Sequence, residues 1–278
     1  YGSNPDSSAT TNAFSKIETV VYASTTLNTG HAWGTGKETI ILPVLARDEE
    51  KQSTTQESMF SFVRLSDGGI NRYQNLRSEV EVISEIASRV LGNDKLFNWS
   101  ELENHNSIRT IISRIIPGFE SMDSIGESKK EFHIPGRILN KPVFPTESTK
   151  AKFIYHPIPN LDKLKENEFQ LLSVRSEGQF NTVVYEEKDL YRNQDRRDVV
   201  LMNKDDMSKM GFSENDSVSV KSKTGIMNHI LVRPFDIKKG AVLMYYPEVN
   251  SLISQGVDPL SRTPGFKSTI VIIQASQS

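Results

Sequence analysis

The 278-residue sequence contains no cysteine. It therefore cannot form a disulfide, present a thiolate nucleophile or ligate an iron–sulfur cluster through sulfur. No apolar run approaches the roughly 18 residues that span a bilayer. A charge excess of either sign is also missing. Lysine and arginine number 33 against 35 acidic residues, a formal charge of −2, which gives no reason to expect a nucleic acid or an anionic membrane surface as partner. The opening Tyr1-Gly2-Ser3-Asn4-Pro5 lacks an initiating methionine, a basic n-region and an apolar h-region. The expectation is a segment cut from a longer polypeptide, located in the cytoplasm, where a chain without an export signal stays by default. An apolar share of 36% is enough to build a globular core.

Residues 17–23 and 40–42 are short β-branched and apolar runs that read as buried strands, separated by a polar, glycine-bearing loop at 24–36. Leu76, Val80, Ile83, Ala87 and Val90 recur at helical spacing and stop at Gly92. A second helix is expected over 107–116, with Ile108, Ile111, Ile112 and Ile115 inward and Pro117-Gly118 ending it. From Glu127 to about Leu164 the chain is rich in lysine, proline and isolated aromatics and reads as a surface-wrapped linker. Strands are then expected at 169–175, 199–202, 218–222, 226–233 and 241–246. A short helix after Asn203 is closed by Gly211. This predicts an α/β segment at 1–126, a linker at 127–165 and a mostly-β closed barrel at 166–278.

Most motifs that could carry chemistry have plainer explanations. The five histidines show no i, i+4 pairing and no nearby carboxylate in metal-ligand spacing, so no protein-built metal site and no catalytic residue is assigned. The acidic pairs Glu49-Glu50, Glu186-Glu187 and Asp205-Asp206 read as solvated surface. Gly265-Phe266-Lys267-Ser268 lacks the glycine spacing of a phosphate loop, and Gly34-Thr35-Gly36 is only half of a dinucleotide fingerprint. The match to a glycosylation acceptor at Asn98-Trp99-Ser100 means nothing without export.

The stretch from Ser173 to Thr182 is different, because an expected strand runs there into a glycine-containing loop dense with hydrogen-bonding side chains. Arg175 offers a planar fork for a phosphate or carbonyl edge, while Gln179 and Asn181 can each donate and accept. The alternative is a turn whose polar groups merely satisfy its own backbone. From composition alone both remain open.

This stretch resembles the segment of molybdopterin oxidoreductases in which the last domain, a double-psi β-barrel, meets its dinucleotide. Other stretches agree: 200–211 with 214–220, Tyr246–Asn250, and Asp258–Lys267 resemble the family's strand, short helix, acidic turn and closing segments. Formate-dehydrogenase-like alpha subunits are resembled most, through Phe180, Asn181, Thr182 and Tyr185, and through 24–28 with His31 before 41–43. The resemblance implies that Arg175, Ser176, Gln179, Asn181 and Thr182 line a dinucleotide pocket closed by Asn250, Phe266 and Lys267. It also implies that Gly2 abuts the cofactor, with Asn28 and His31 facing the same cavity. The sequence departs from the family at Thr26, where relatives tend to have lysine, and at Gly265-Phe266. The implied cofactor is bis-molybdopterin guanine dinucleotide with molybdenum; an iron–sulfur cluster and the metal's protein ligand would come from upstream domains of the same polypeptide. The fragment alone would be inactive, and a small molecule such as formate would be the substrate of the whole. The rival is a stand-alone β-barrel that binds a nucleotide or a protein without redox chemistry.

Overall fold

The computed structural model describes residues 2–58, 61–92, 98–137, 142–157, 164–180, 182, 184 and 186–276. The chain divides into two units that do not follow chain order. The first comprises 1–20, 28–39 and 159–278, and the second 21–27 and 40–158. Helix α1 (Ser7–Phe14), helix α2 (Thr29–Trp33) and strands β1 (Thr19–Ser24) and β2 (Glu38–Pro43) come first in the chain. β1 and β2 pair as a two-stranded sheet, and the division between units falls within both strands.

In the second unit, β3 (Thr54–Glu57), β4 (Phe62–Ser66) and β5 (Phe132–His133) form an antiparallel three-stranded sheet. Val63, Met122, Ile125 and Ile134 pack as its core, with Ile125 supplied by helix α5 (Ile125–Ser128). The expected linker therefore begins as folded structure, because Phe132 and Ile134 bury apolar surface in this core. Helix α3 (Glu79–Leu91) starts three residues later than the apolar spacing alone indicates. Ser78 and Glu81 form a reciprocal capping box, with the Ser78 hydroxyl accepting from Glu81 N at 3.1 Å and the Glu81 carboxylate from Ser78 N at 2.8 Å. Ser78→Ala should cost about 0.5–2 kcal/mol, read as a lower urea midpoint with an unchanged denaturant slope.

The apolar faces of the two expected helices are covered only in part. On α3, Val80 and Ala87 are half-buried within this unit, while Ile83 and Val90 are 63% and 74% exposed. Helix α4 (His105–Ile115) half-buries Ile108, Ile111 and Ile112, with Ile112 packed on the core, but exposes Ile115 and fully buries His105 and Arg109 instead. Periodicity marks an apolar face but not whether a partner covers it. Arg109 and His105 go inward because both meet the Ser53 carbonyl, at 2.8 and 3.1 Å. Glu49 and Glu50, expected on the surface, are also buried. Glu49 accepts from Ala46 N at 2.8 Å and lies 3.5 Å from Arg72, while Glu50 accepts from Gln52 N at 3.4 Å. Backbone donors and a neighbouring cation compensate for lost water.

The first unit is built on a closed barrel of β6 (Glu168–Val174), β7 (Val199–Met202), β8 (Ser217–Lys221), β9 (Ile226–Pro234), β10 (Ala241–Tyr245) and β11 (Thr269–Ala275), in the order β10-β6-β11-β8-β9-β7. β6–β10 and β7–β9 are parallel and the other neighbours antiparallel. Alternation in β6 buries Phe169, Leu171 and Ser173. β7 is buried at all four positions: Val200 and Met202 join the barrel interior, while Val199 and Leu201 enter a second apolar cluster with Leu243 and Tyr245. That is why its sequence is an unbroken apolar run. Helix α6 (Lys204–Met210) is capped as expected, by Asn203 accepting from Asp205 N at 2.9 Å and by Gly211 at φ 72°.

Candidate functional site

β6 ends at Val174, and the chain leaves the barrel beside the exit of β10 at Tyr245. The two strands are parallel, so both exits open at the same barrel end. The Tyr246–Pro247 peptide is cis. Here a cavity of about 270 Å³ is lined by Ser3, Ser173, Val174, Arg175, Tyr246, Phe266 and Lys267. Three of the residues singled out in sequence, Arg175, Phe266 and Lys267, thus meet from positions some 90 residues apart.

Their geometry is fixed by backbone and rings. The Arg175 guanidinium lies 5.4 Å from the Tyr246 ring centroid. Tyr246 meets Phe266 edge-on, with centroids 6.2 Å apart at 82°. The Phe266 carbonyl accepts from Ser173 N at 3.0 Å, and the Lys267 ammonium donates to the Ser173 carbonyl. Burial holds the Lys267 pKa below the ordinary lysine range, and the nearby charges of Arg175 and Arg192 push it the same way. Among the described residues lining the cavity there is no carboxylate.

Other expected residues have different places. Ser176 and Gln179 are buried in the loop itself: the Gln179 side-chain oxygen accepts from Ser176 N at 2.9 Å, and its amide nitrogen donates to the Tyr246 carbonyl at 2.7 Å. They brace the wall rather than line the cavity. Thr182 sits 3.3 Å, hydroxyl to hydroxyl, from Ser3. Asn250, fully buried, donates to the Gly2 carbonyl at 2.8 Å, and among the described residues its side-chain oxygen has no hydrogen-bond partner. Gly2 therefore reaches the site as the anchor before Ser3. Asn28 and His31 cap α2 reciprocally, the Asn28 side chain accepting from Gly30 N at 2.9 Å and Asn28 N donating to His31 Nδ1 at 3.0 Å. Neither lines the cavity. Asn181 and Tyr185 lie outside the described residues.

Sequence reasoning missed the buried polar groups behind this wall. Asp189, 1% exposed, accepts from the Tyr245 hydroxyl at 2.8 Å, Arg192 at 2.7 Å, Tyr191 N at 3.1 Å and Glu177 N at 3.2 Å. Burial pushes its pKa up, but the bonds from Arg192, Tyr245 and Glu177 N outweigh burial and leave it below the usual carboxylate value. Burial, with the Asp189 carboxylate, pushes the Tyr245 phenol well above its ordinary value. Only the dense run of arginines and aspartates at 189–198 hints at such a network. Among the described residues no group of three or more histidines, aspartates or glutamates could hold a metal ion.

Comparison with known proteins gives this barrel end a context. Residues 169–270 match the family described as the molydopterin dinucleotide binding domain. An uncharacterized oxidoreductase of Mycobacterium tuberculosis is 28% identical over 97% of this chain and 37% of its own length. Protein YdeP of Escherichia coli is 27% identical over 98% of this chain and 38% of its own length. The chain thus spans under two-fifths of these relatives. Acetylene hydratase from Pelobacter acetylenicus shares the fold over 98% of this chain and 46% of its own, with a TM-score of 0.57 at 14% identity. Through residues 169–270 the chain is thus similar to the molydopterin dinucleotide binding domain family.

Proposed function

We propose that the barrel end at Arg175, Tyr246, Phe266 and Lys267 holds part of a molybdopterin guanine dinucleotide within a longer oxidoreductase resembling formate dehydrogenase. The observation that carries this reading is the cavity itself, bordered among the described residues by two cations and two aromatic rings and by no carboxylate. Such a lining suits a phosphate beside a planar base. Its volume, about 270 Å³, falls at the lower edge of ligand pockets, roughly 300–1,000 Å³, so one segment of a dinucleotide enters rather than the whole. The side-chain oxygen of buried Asn250, unpartnered among the described residues, fits a polar ligand group at the neighbouring turn. The barrel is read as double-psi, with its two parallel pairs as the crossing connections.

When bound, the cofactor would supply two-electron exchange with a small substrate, formate being the family-level candidate. The chain's own residues do three things. Arg175 and Lys267 oppose phosphate charge, Tyr246 and Phe266 wall off one side, and Ser173 fixes the lysine through its carbonyl. The iron–sulfur cluster and the metal's ligand are assigned to other parts of the polypeptide, and the whole to the cytoplasm. No helix among the described residues is long and apolar enough to cross a membrane.

Titration of the chain with GDP tests the reading. Saturable binding that inorganic pyrophosphate competes away supports it, and no binding at millimolar GDP removes it. Lys267 also gives the binding a pH signature. Its depressed pKa means that the charged form disfavours folding below that value, a penalty relieved as pH rises toward the ordinary lysine range. A bound anion favours the charged form, so GDP affinity should fall as pH rises through the depressed value, before an ordinary lysine would titrate. Lys267→Met should weaken binding at neutral pH and flatten that alkaline fall in calorimetric titrations.

A further inference from the structure

Asp195-Arg196-Arg197-Asp198 reads as a solvated charge run, and Arg196 behaves as one, pairing with Asp198 at 45% and 48% side-chain exposure. Arg197 does not: its side chain is 4% exposed. Nε and Nη2 grip the Glu248 carboxylate at 2.6 and 3.1 Å, Nη2 also donates to the Tyr246 carbonyl at 2.7 Å, and Nη1 donates to the Ser176 hydroxyl at 2.9 Å and the Glu186 carbonyl at 3.3 Å. The guanidinium carbon lies 4.9 Å from the Tyr245 ring centroid. One planar group thus ties the loop after β6 to the turn after β10. Those are the two walls that carry Arg175 and Tyr246 into the cavity.

We infer that Arg197 is a positioning residue for this anion site, setting the spacing at which Arg175 lies over Tyr246. The inference rests on the proposed dinucleotide reading. Arg197 does not line the cavity, so it acts through the walls. A planar fork can bridge Ser176, Tyr246 and Glu248 at once, whereas an ammonium is a point donor that keeps the charge but not the bridging. Arg197→Lys therefore separates charge from geometry.

The experiment titrates GDP into the wild-type chain, Arg197→Lys, Arg197→Met and Met207→Ala, each well below its own melting temperature. Met207 is buried on α6 in the barrel core and absent from the cavity lining, and serves as the destabilised control. GDP affinity should fall about tenfold in Arg197→Lys, equivalent to about 1.4 kcal/mol, fall further in Arg197→Met, and stay near wild type in Met207→Ala. A double-mutant cycle adds a readout that a merely structural role would not move: Arg175→Ala should have little further effect in the Arg197→Lys background. Full additivity in that cycle overturns the inference, as does an Arg197→Lys chain that binds like wild type or a Met207→Ala chain that weakens equally. Should the Arg197 variants not fold, Glu248→Gln, which leaves Arg197 in place and removes the carboxylate it grips, should weaken GDP binding in the same direction, and unchanged binding overturns the inference. A wild-type chain that binds no GDP overturns the dinucleotide reading itself, and this inference with it.

Discussion

Arg175→Ala should weaken binding of a guanine nucleotide by about 10- to 150-fold, the equivalent of losing about 1.5–3 kcal/mol from a charge-assisted hydrogen bond. The side chain is exposed at the end of β6 and held over the Tyr246 ring, outside the barrel core, so the fold should survive its removal. That separates a binding loss from unfolding, which a matched melting temperature checks. A second consequence follows from charge. Arg175 is one of the cations that lower the Lys267 pKa, so in Arg175→Ala the alkaline fall in affinity should move to higher pH. The residual shift belongs chiefly to burial and to Arg192. Isothermal titration across a pH series reads both effects. An unchanged affinity with an unmoved pH profile would mean that Arg175 does not face the ligand.

Asp189→Ala should be the most destabilising single change described, by about 3–5 kcal/mol, the range for breaking a buried charged network by removing one partner. Four donors converge on this carboxylate from Tyr245, Arg192, Tyr191 and Glu177. Truncation leaves the buried Tyr245 hydroxyl without its acceptor and Arg192 without its counter-charge. The effect should be pH-dependent with a definite sign. The Asp189 pKa is depressed in the folded protein, so its contribution is present above the unfolded-state value of about 3.9 and is lost as pH falls through the folded value. The stability gap between wild type and Asp189→Asn should therefore narrow in acid, as urea midpoints measured from neutral pH downward would show. A gap that widens in acid would mean that the carboxylate is not held ionised by its partners.

Much of the barrel was legible in the sequence because its determinants are local. Val199–Met202 is apolar at every position because both of its faces are covered, and Asn203 and Gly211 announce α6 through capping chemistry. The cavity was legible in part. Arg175, Phe266 and Lys267 do meet, but their meeting depends on register: Thr269 of β11 lies opposite Leu171 of β6, and this brings Phe266 to Ser173. Ser176 and Gln179 illustrate the limit. Their hydrogen-bonding capacity was visible, but whether it turns to a ligand or to the chain is decided by Tyr246 and Arg197, which approach from distant segments. Asp189 and Arg197 were illegible for the same reason, since a charged residue in a charged run looks solvated until its partners 49 to 56 residues away are in place. In the second unit, the spacing that marks α3 and α4 gave their helical period and part of the inner side of α4, where Ile112 packs on the core but Ile115 is exposed. His105 and Arg109 take the inner side because the Ser53 carbonyl satisfies them there.

The most direct measurement is the guanine nucleotide content of the complete protein, purified and hydrolysed in acid, with Arg175→Ala and Lys267→Ala carried in parallel. A guanine dinucleotide held at this barrel end predicts GMP released in stoichiometric amount from the wild type and in reduced amount from both variants. Wild-type protein that releases no GMP, or variants that release as much as wild type, would contradict the assignment of this cavity to the dinucleotide.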